Sequence, residues 1–276
     1  MMHSTLPAEN RACRLALYRG ERFKGAPTPA SEALVNDVQE LLVSELGCSD
    51  PRKAHEELSP EAFFRGIGRV RKQLFLQRHY HDRVREVIEA LGFDPEAVAF
   101  DPLRLRSIVH LGHENPRAAP VYFPHRDTWY AHEQGIIAWW IPLNDLEAHE
   151  TFVFEPAKFG QPVENDSASF VYEAWVENGW DLKIGWQDQD AGTSAGYPAA
   201  SLTEGNEEGF ACLRAENLLF SGAHFHRTLP QATGLTRYSL DFRILHLPDH
   251  AAHLGAPNVD NQSRGAALVD YVRPTR

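Results

Sequence analysis

The sequence predicts a mainly β protein with added α: a double-stranded β-helix, the cupin-like jelly roll, behind an N-terminal helical layer. Apolar residues recur at helical spacing over residues 28–92. From about residue 101 the chain turns to short alternating or wholly apolar runs, broken by Gly, Pro, Asn and Asp. Short strands after a helical start favour an antiparallel double sheet with helices packed outside it. The expected organisation is one domain. Residues 1–100 form an arm and helices, 101–250 the jelly-roll core, and 251–276 a C-terminal tail.

A chain of 276 residues is long enough for such a barrel with its helical layer. The formal net charge of −11 argues against a protein that tracks phosphate backbones, so no nucleic-acid partner is expected. The first ten residues have no apolar h-region, and the longest apolar run, G-I-I-A-W-W-I-P-L, is far shorter than the roughly 20 residues of a membrane span. No membrane partner is expected. Cys13, Cys48 and Cys212 are too scattered for a metal knuckle or a redox pair, which fits inert thiols in a reducing cytoplasm.

Residues 1–27 have no clear period and are expected to be a partly ordered arm. Thr28-Pro29 reads as an N-cap followed by Pro at the first helical position. Leu34, Val38, Leu41, Leu42 and Leu46 then share a face, and Gly47 is placed to end the helix. Ser59-Pro60-Glu61 is a second start, followed by Phe63, Ile67, Val70 and Leu74, with Gly66 and Gly68 weakening the early turns. Val84, Val87, Ile88 and Leu91 continue the pattern to Gly92. Leu103–Leu111 alternates as a strand, with Arg104, Arg106, Ile108 and His110 on one face. Gly135–Leu143 reads as a buried strand and Thr151–Phe154 as a short one. Residues 155–210 read as long loops with some hairpin. Leu218–Thr228 and Thr236–Leu245 return to strand character.

The chemistry concentrates in F-P-H-R-D-T-W-Y, residues 123–130. In an extended segment the side chains of His125 and Asp127 point the same way, so an imidazole nitrogen and a carboxylate oxygen converge. A second histidine from a later strand would complete a 2-His-1-carboxylate facial triad, the site that holds non-haem Fe(II) and leaves positions open. His224 and His226 both offer that ligand, since residues two apart share a strand face. Arg237, eleven residues after His226, and Ser239 share the next strand face. An arginine fork with a hydroxyl beside it suits the far carboxylate of a dicarboxylic co-substrate such as 2-oxoglutarate.

These motifs resemble the Fe(II)/2-oxoglutarate-dependent oxygenases, most closely the phytanoyl-CoA dioxygenase-like branch. The resemblance rests on H-R-D at 125–127, W-I-P-L-N-D at 140–145, H-R-T-L-P-Q-A-T at 226–233 and R-Y-S at 237–239, and it spans about residues 107–245. The family pattern at the distal histidine, roughly His-x-Ser/Thr-x-Pro-Asn, is matched by Thr228 and Pro230, with Gln231 in place of Asn. That register implies His226 rather than His224. The family's Glu-Asn-Gly and Pro-Gly-Ser-His signatures are absent; H-E-T-F-V-F-E-P stands there instead. The resemblance implies Fe(II) on His125, Asp127 and His226, with 2-oxoglutarate anchored by Arg237 and Ser239. It implies O2 as the other co-substrate and succinate and CO2 as products, while a small-molecule substrate is hydroxylated, desaturated or cyclised. In related halogenases a Gly or Ala replaces the carboxylate ligand, so Asp127 implies oxygenation.

Other constellations carry blander readings. His79-Tyr80-His81-Asp82 lies in a helical stretch where residues two apart do not share a face, and reads as a solvated surface. His113, His132 and His149 read as structural. Trp129, His110, Arg104, Arg106 and Trp140 are the candidates for lining a substrate pocket, although the tryptophans are more often core. Arg243, on the face of Arg237, reads as a salt-bridge partner of Asp241 or another acid. Its spacing from Arg237 also resembles the paired arginines of AlkB-like nucleic-acid demethylases, an alternative that the acidic charge disfavours. A second alternative is a jelly roll that binds metal or ligand without turnover.

Overall fold

The computed structural model describes residues 2–178, 197–201 and 205–274. The N-terminal arm expected over residues 1–27 is instead built into the fold. It forms β1 (Met2–His3), α1 (Asn10–Tyr18) and β2 (Arg22–Gly25). Two things hid it in the sequence. α1 buries Arg14 alongside Cys13, Ala16, Leu17 and Tyr18, so a charge interrupts its apolar face. β2, with the sequence R-F-K-G, is too short and polar to show a period.

The helical layer follows the expected signals. α2 (Pro29–Leu46) starts at Thr28, whose hydroxyl accepts from the Ser31 N–H, while Ser31 Oγ accepts from the Thr28 N–H at 2.9 Å. Gly47, at a φ of 68°, ends it in the left-handed region. After the single turn α3 (Ala54–Glu57), α4 (Pro60–Leu76) is capped by Ser59 and α5 (Arg78–Ala90) follows. Gly66 does not weaken α4 so much as bring it close to α2. A Cβ there would stand 2.6 Å from Leu46 Cδ2. On α5, His79 and Asp82 are exposed, Tyr80 is buried, and His81 Nε2 lies 2.9 Å from the Phe75 carbonyl.

The strands are β3 (Val98–Phe100), β4 (Arg104–Ile108), β5 (Ile136–Pro142), β6 (Phe152–Phe154), β7 (Asn217–Ser221), β8 (His226–Thr228) and β9 (Arg237–His246). They form a mixed sheet with several helices against it. The main sheet runs β1-β2-β7-β5-β9-β3, with β4 also paired to β9. Among the described strands only β1 and β2 run parallel. β6 and β8 form a separate pair, extended by a bridge between His125 and His226.

Period-two alternation sorts β9 into two faces. Tyr238, Leu240, Phe242 and Ile244 join Trp139, Ile141 and the apolar faces of α2, α4 and α5 in the main core. Leu240 is fully buried there, and truncating such a leucine to Ala costs about 2–5 kcal/mol. Arg237, Ser239, Asp241 and Arg243 take the opposite face, toward β6 and β8. Trp140, Phe152, Phe154 and Phe220 fill the space between the sheets on that side.

The single strand expected over residues 218–228 is split. β7 ends at Ser221, the chain bends through Gly222–Phe225, and β8 begins at His226 in the other sheet. Residues 155–210 include a helix, α6 (Tyr172–Asn178). Residues 179–196 and 202–204, within the expected loop and hairpin region, lie outside the described residues. α7 (Leu247–Ala251) follows β9. The C-terminal segment folds back, and Val272 pairs with Phe100. Among the described residues no helix is long and apolar enough to cross a membrane.

Candidate metal centre

His125 stands at the end of a loop, held by two backbone bonds to His226: each N–H donates to the other's carbonyl, at 2.9 and 3.0 Å. Asp127 opens a short 3-10 turn, Asp127–Tyr130. The segment is therefore not extended through Asp127, yet the side chains still converge: His125 Nε2 is 3.7 Å from Asp127 Oδ1. Ligand atoms of His125, Asp127 and His226 all lie within 4.8 Å of one another, the metal-competent cluster among the described residues.

Both imidazoles are fixed in the tautomer a metal needs. His125 Nδ1 is 2.8 Å from the Phe123 carbonyl and His226 Nδ1 is 3.0 Å from the His224 carbonyl. A carbonyl only accepts, so each Nδ1 carries the proton and each Nε2 keeps its lone pair. Burial, and then the charge of His226, push the His125 pKa down to about 3, and burial also lowers that of His226. Burial works to raise the Asp127 pKa. The Arg243 guanidinium, with both histidines, more than offsets it and holds the carboxyl well below the usual range. Two neutral imidazoles and one carboxylate are thus ready as donors at neutral pH.

His224 is not in the cluster. The bend before β8 prevents it from sharing a face with His226. It is fully buried, its ring 4.7 Å from that of Phe159 and 5.3 Å from that of Phe154.

The cluster opens into a cavity of about 510 Å³ whose wall includes Arg237, Trp140, His110, Arg104 and Arg106. Trp129, a candidate for that wall, is not on it. It is fully buried against Val163 and Phe225, and its indole N–H donates to Asp260 Oδ1 at 2.8 Å. The 3-10 turn after Asp127 rotates it away from the metal side. Ser239 shares the face of Arg237 but is fully buried and not on the cavity wall. Arg237 donates through Nη1 to the Thr151 carbonyl at 2.9 Å. Its guanidinium lies 5.9 Å from the Trp140 ring centroid. Among the described residues Arg237 Nε and Ser239 Oγ have no hydrogen-bond partner. His110 Nδ1 accepts from the Gly234 N–H at 3.2 Å.

Three supporting residues carried no legible signal. Asp101 holds Arg243 Nη1 at 2.9 Å and so braces the arginine beside Asp127. Arg126, between the two ligands in sequence, is buried and reaches Asp260 at 3.0 Å and the carbonyls of Lys158 and Gln161. Asp260 itself comes from the C-terminal segment. Their partners lie more than 30 residues away in the chain, and no local spacing announces them.

No protein-family model matches the chain, and no curated protein matches it. Solved structures of similar path include EvdO2 from Micromonospora carbonacea var. aurantiaca, 13% identical over 88% of this chain and 93% of its own, with a TM-score of 0.46. AviO1 from Streptomyces viridochromogenes Tue57 is 12% identical over 87% and 96%, also at 0.46. The epimerase SnoN, solved with Fe3+, alpha ketoglutarate and nogalamycin RO, is 13% identical over 86% and 84%, at 0.43. The similarity is one of chain path only.

Proposed function

We propose that the protein is an Fe(II)- and 2-oxoglutarate-dependent oxygenase acting on a small molecule, which it hydroxylates, desaturates or cyclises. The observation that carries this reading is the convergence of His125, Asp127 and His226, with both histidines tied back through Nδ1. The donor set fits the metal: two neutral nitrogens and one anionic oxygen on one side, with a cavity on the other. The corresponding reading of the fold is a jelly roll, with β6 and β8 as its minor sheet.

Iron, when bound, supplies O2 activation, with 2-oxoglutarate as the source of the two further electrons. The remaining work falls to the chain. His125, Asp127 and His226 would hold the metal. Arg237 accounts for the dicarboxylic acid: a buried guanidinium whose Nε has no hydrogen-bond partner among the described residues suits the far carboxylate. The aromatic side chains of the wall keep water from the reacting carbon. The AlkB-like alternative loses its second arginine, because Arg243 is occupied by Asp127 and Asp101.

The test is anaerobic addition of Fe(II) and 2-oxoglutarate, watching for a visible charge-transfer band, and then admission of O2 with assay of succinate. Wild type gives the band and slow succinate release, and Asp127→Ala gives neither. A wild-type protein with no band and no succinate ends the reading. A band without succinate under any substrate mixture points to the non-catalytic binding protein.

A further inference from the structure

His132 reads from the sequence as structural, yet its half-buried ring lies on the cavity wall. Its Nδ1 stands 3.0 Å from the hydroxyl of Tyr271, which lies behind the wall in the C-terminal segment. Its Nε2, across the ring, makes no hydrogen bond among the described residues. The position of the ring proton follows from these neighbours. Burial, and then the charge of Arg243, hold the His132 pKa well below the usual imidazole value, so the ring is neutral at neutral pH. Burial pushes the Tyr271 pKa well up, so the phenol keeps its proton. Among the described residues that phenol has one hydrogen-bond partner, His132 Nδ1. The phenol therefore donates and Nδ1 accepts, because the reverse would leave a buried O–H unpaired. The ring proton is then on Nε2. This is the opposite tautomer to that of His125 and His226, whose Nδ1 atoms face carbonyls. His132 offers the cavity an N–H and not a lone pair, which makes it a hydrogen-bond donor and not a fourth metal ligand.

The wall on this side is aromatic and reaches the candidate metal ligands. Tyr271 packs in one cluster with Phe170 and Tyr172, and Tyr130 and Trp175 lie against that cluster. Tyr130 meets the His125 ring edge-on at 5.6 Å, and Phe170 meets Tyr130 at 5.7 Å. Trp175, on α6, continues the row from Phe170 at 6.0 Å.

We infer that the substrate is an apolar ring system carrying a carbonyl or hydroxyl oxygen, that this oxygen accepts from His132 Nε2, and that the rings lie against Tyr130, Phe170 and Trp175. This deepens the oxygenase reading and rests on it. The aromatic row supplies contact area and leads to His125. The N–H supplies direction. A body of the same shape without the oxygen leaves that donor unpaired, so the site discriminates against it. Tyr271 does not touch the substrate; it is a positioning residue that fixes the tautomer of His132.

The test has two arms. The first reads the tautomer by proton–nitrogen correlation NMR of the metal-free protein with isotopically labelled histidine. The His132 ring, assigned by its loss in His132→Gln, is expected to carry a proton on Nε2 and none on Nδ1, and Tyr271→Phe to mix the two tautomers. The second arm titrates 1-tetralone and tetralin, the same two rings with and without a carbonyl, into Co(II)-loaded protein saturated with N-oxalylglycine. Binding is followed by ligand-observed NMR. The readout is the ratio of the two affinities, because comparing that ratio between variants cancels the difference in hydration of the probes. His132→Phe should lower the tetralone-to-tetralin ratio about three- to tenfold, the margin of one hydrogen bond. His132→Gln, which keeps an N–H donor, should retain most of it. A wild-type His132 protonated on Nδ1 overturns the inference, as does an unchanged ratio in His132→Phe or a wild-type protein that does not bind 1-tetralone. Failure of the oxygenase reading is seen separately, as failure to bind Co(II). The tautomer and the probe ratio are then still measured on the metal-free protein.

Discussion

Arg243 lies across the carboxylate of Asp127. Its Nη2 donates to Oδ1 at 3.1 Å and its Nε stands 3.1 Å from Oδ2, while Nη1 is held by Asp101 at 2.9 Å. The arginine therefore orients the one anionic donor of the cluster and neutralises it before any metal arrives. Removing it leaves two buried carboxylates without their shared cation. Arg243→Met should destabilise the metal-free protein by about 3–5 kcal/mol in chemical denaturation. Co(II) should then raise the melting temperature of the variant more than that of wild type, because the metal supplies the missing positive charge. An equal shift in both proteins would show that Arg243 does not act through Asp127.

The choice between the two histidines can be tested by metal binding alone. His226→Ala should abolish Co(II) binding. His224→Ala should retain it within a fewfold but lose stability, since the ring fills a buried site beside Phe159 and Phe154. Loss of Co(II) by the His224 variant, with normal binding by the His226 variant, would reverse the assignment.

Gly222 sets how closely β7 approaches the ligand turn. A Cβ there would meet Ile136 Cδ1 at 2.4 Å and Asp127 Cβ at 3.3 Å, and Ile136 is fully buried. Gly222→Ala should cost about 1–3 kcal/mol by overpacking. It should also weaken Co(II) binding, because the strain falls on Asp127. A variant with normal stability and metal affinity would show that the site can yield there.

Stability should also fall in acid through a pair outside the candidate metal centre. Arg14 Nε donates to Asp249 Oδ2 at 2.6 Å, tying α1 to α7, and Tyr18 donates to the same carboxylate at 3.1 Å. Burial would raise the Asp249 pKa, but the hydrogen bond from Arg14 and the His246 charge lower it on balance. A depressed folded-state pKa gives stability that is present above the unfolded value and lost as pH falls through the folded one. Asp249→Asn should therefore be less stable than wild type at pH 7, and the gap should narrow below about pH 4. A gap that stays constant with pH would mean that the carboxylate's charge plays no part.

Local chemistry was legible in the sequence, and long-range support was not. Thr28, Gly47 and Ser59 marked helix ends because caps are written in adjacent residues. The apolar run at β5 gave a strand because burial on both faces shows as composition. His125 and Asp127 were legible as a pair two residues apart. Their partner needed a choice that depended on a bend: Gly222–Phe225 turns His224 into the protein and His226 toward His125 and Asp127, and no period encodes that turn. Asp101, Asp260 and the placement of Trp129 depend on contacts across the fold. The buried α1 was missed because Arg14 finds its counter-charge in Asp249, 235 residues away.

The proposed co-substrate anchor gives the sharpest separation between residues. Arg237 reaches the cavity and has Nε without a partner among the described residues, whereas Ser239 lies behind the wall. Burial lowers the Arg237 pKa to about 10, so it remains a cation throughout the working range of pH. A carboxylate anchored there and then deprived of its guanidinium loses about 3–5 kcal/mol. That corresponds to a loss of 2-oxoglutarate affinity of about a hundredfold or more. Arg237→Ala should show this in anaerobic titration of the Fe(II) charge-transfer band, with Fe(II) binding near wild type because Arg237 touches none of the three ligands. Ser239→Ala should change the titration by less than about tenfold. A monocarboxylic 2-oxo acid, which has no far carboxylate, should bind wild type and Arg237→Ala with similar affinity. If Arg237→Ala titrates like wild type with 2-oxoglutarate while Arg106→Gln does not, the anchor is on β4 and the orientation of the co-substrate in the cavity is reversed.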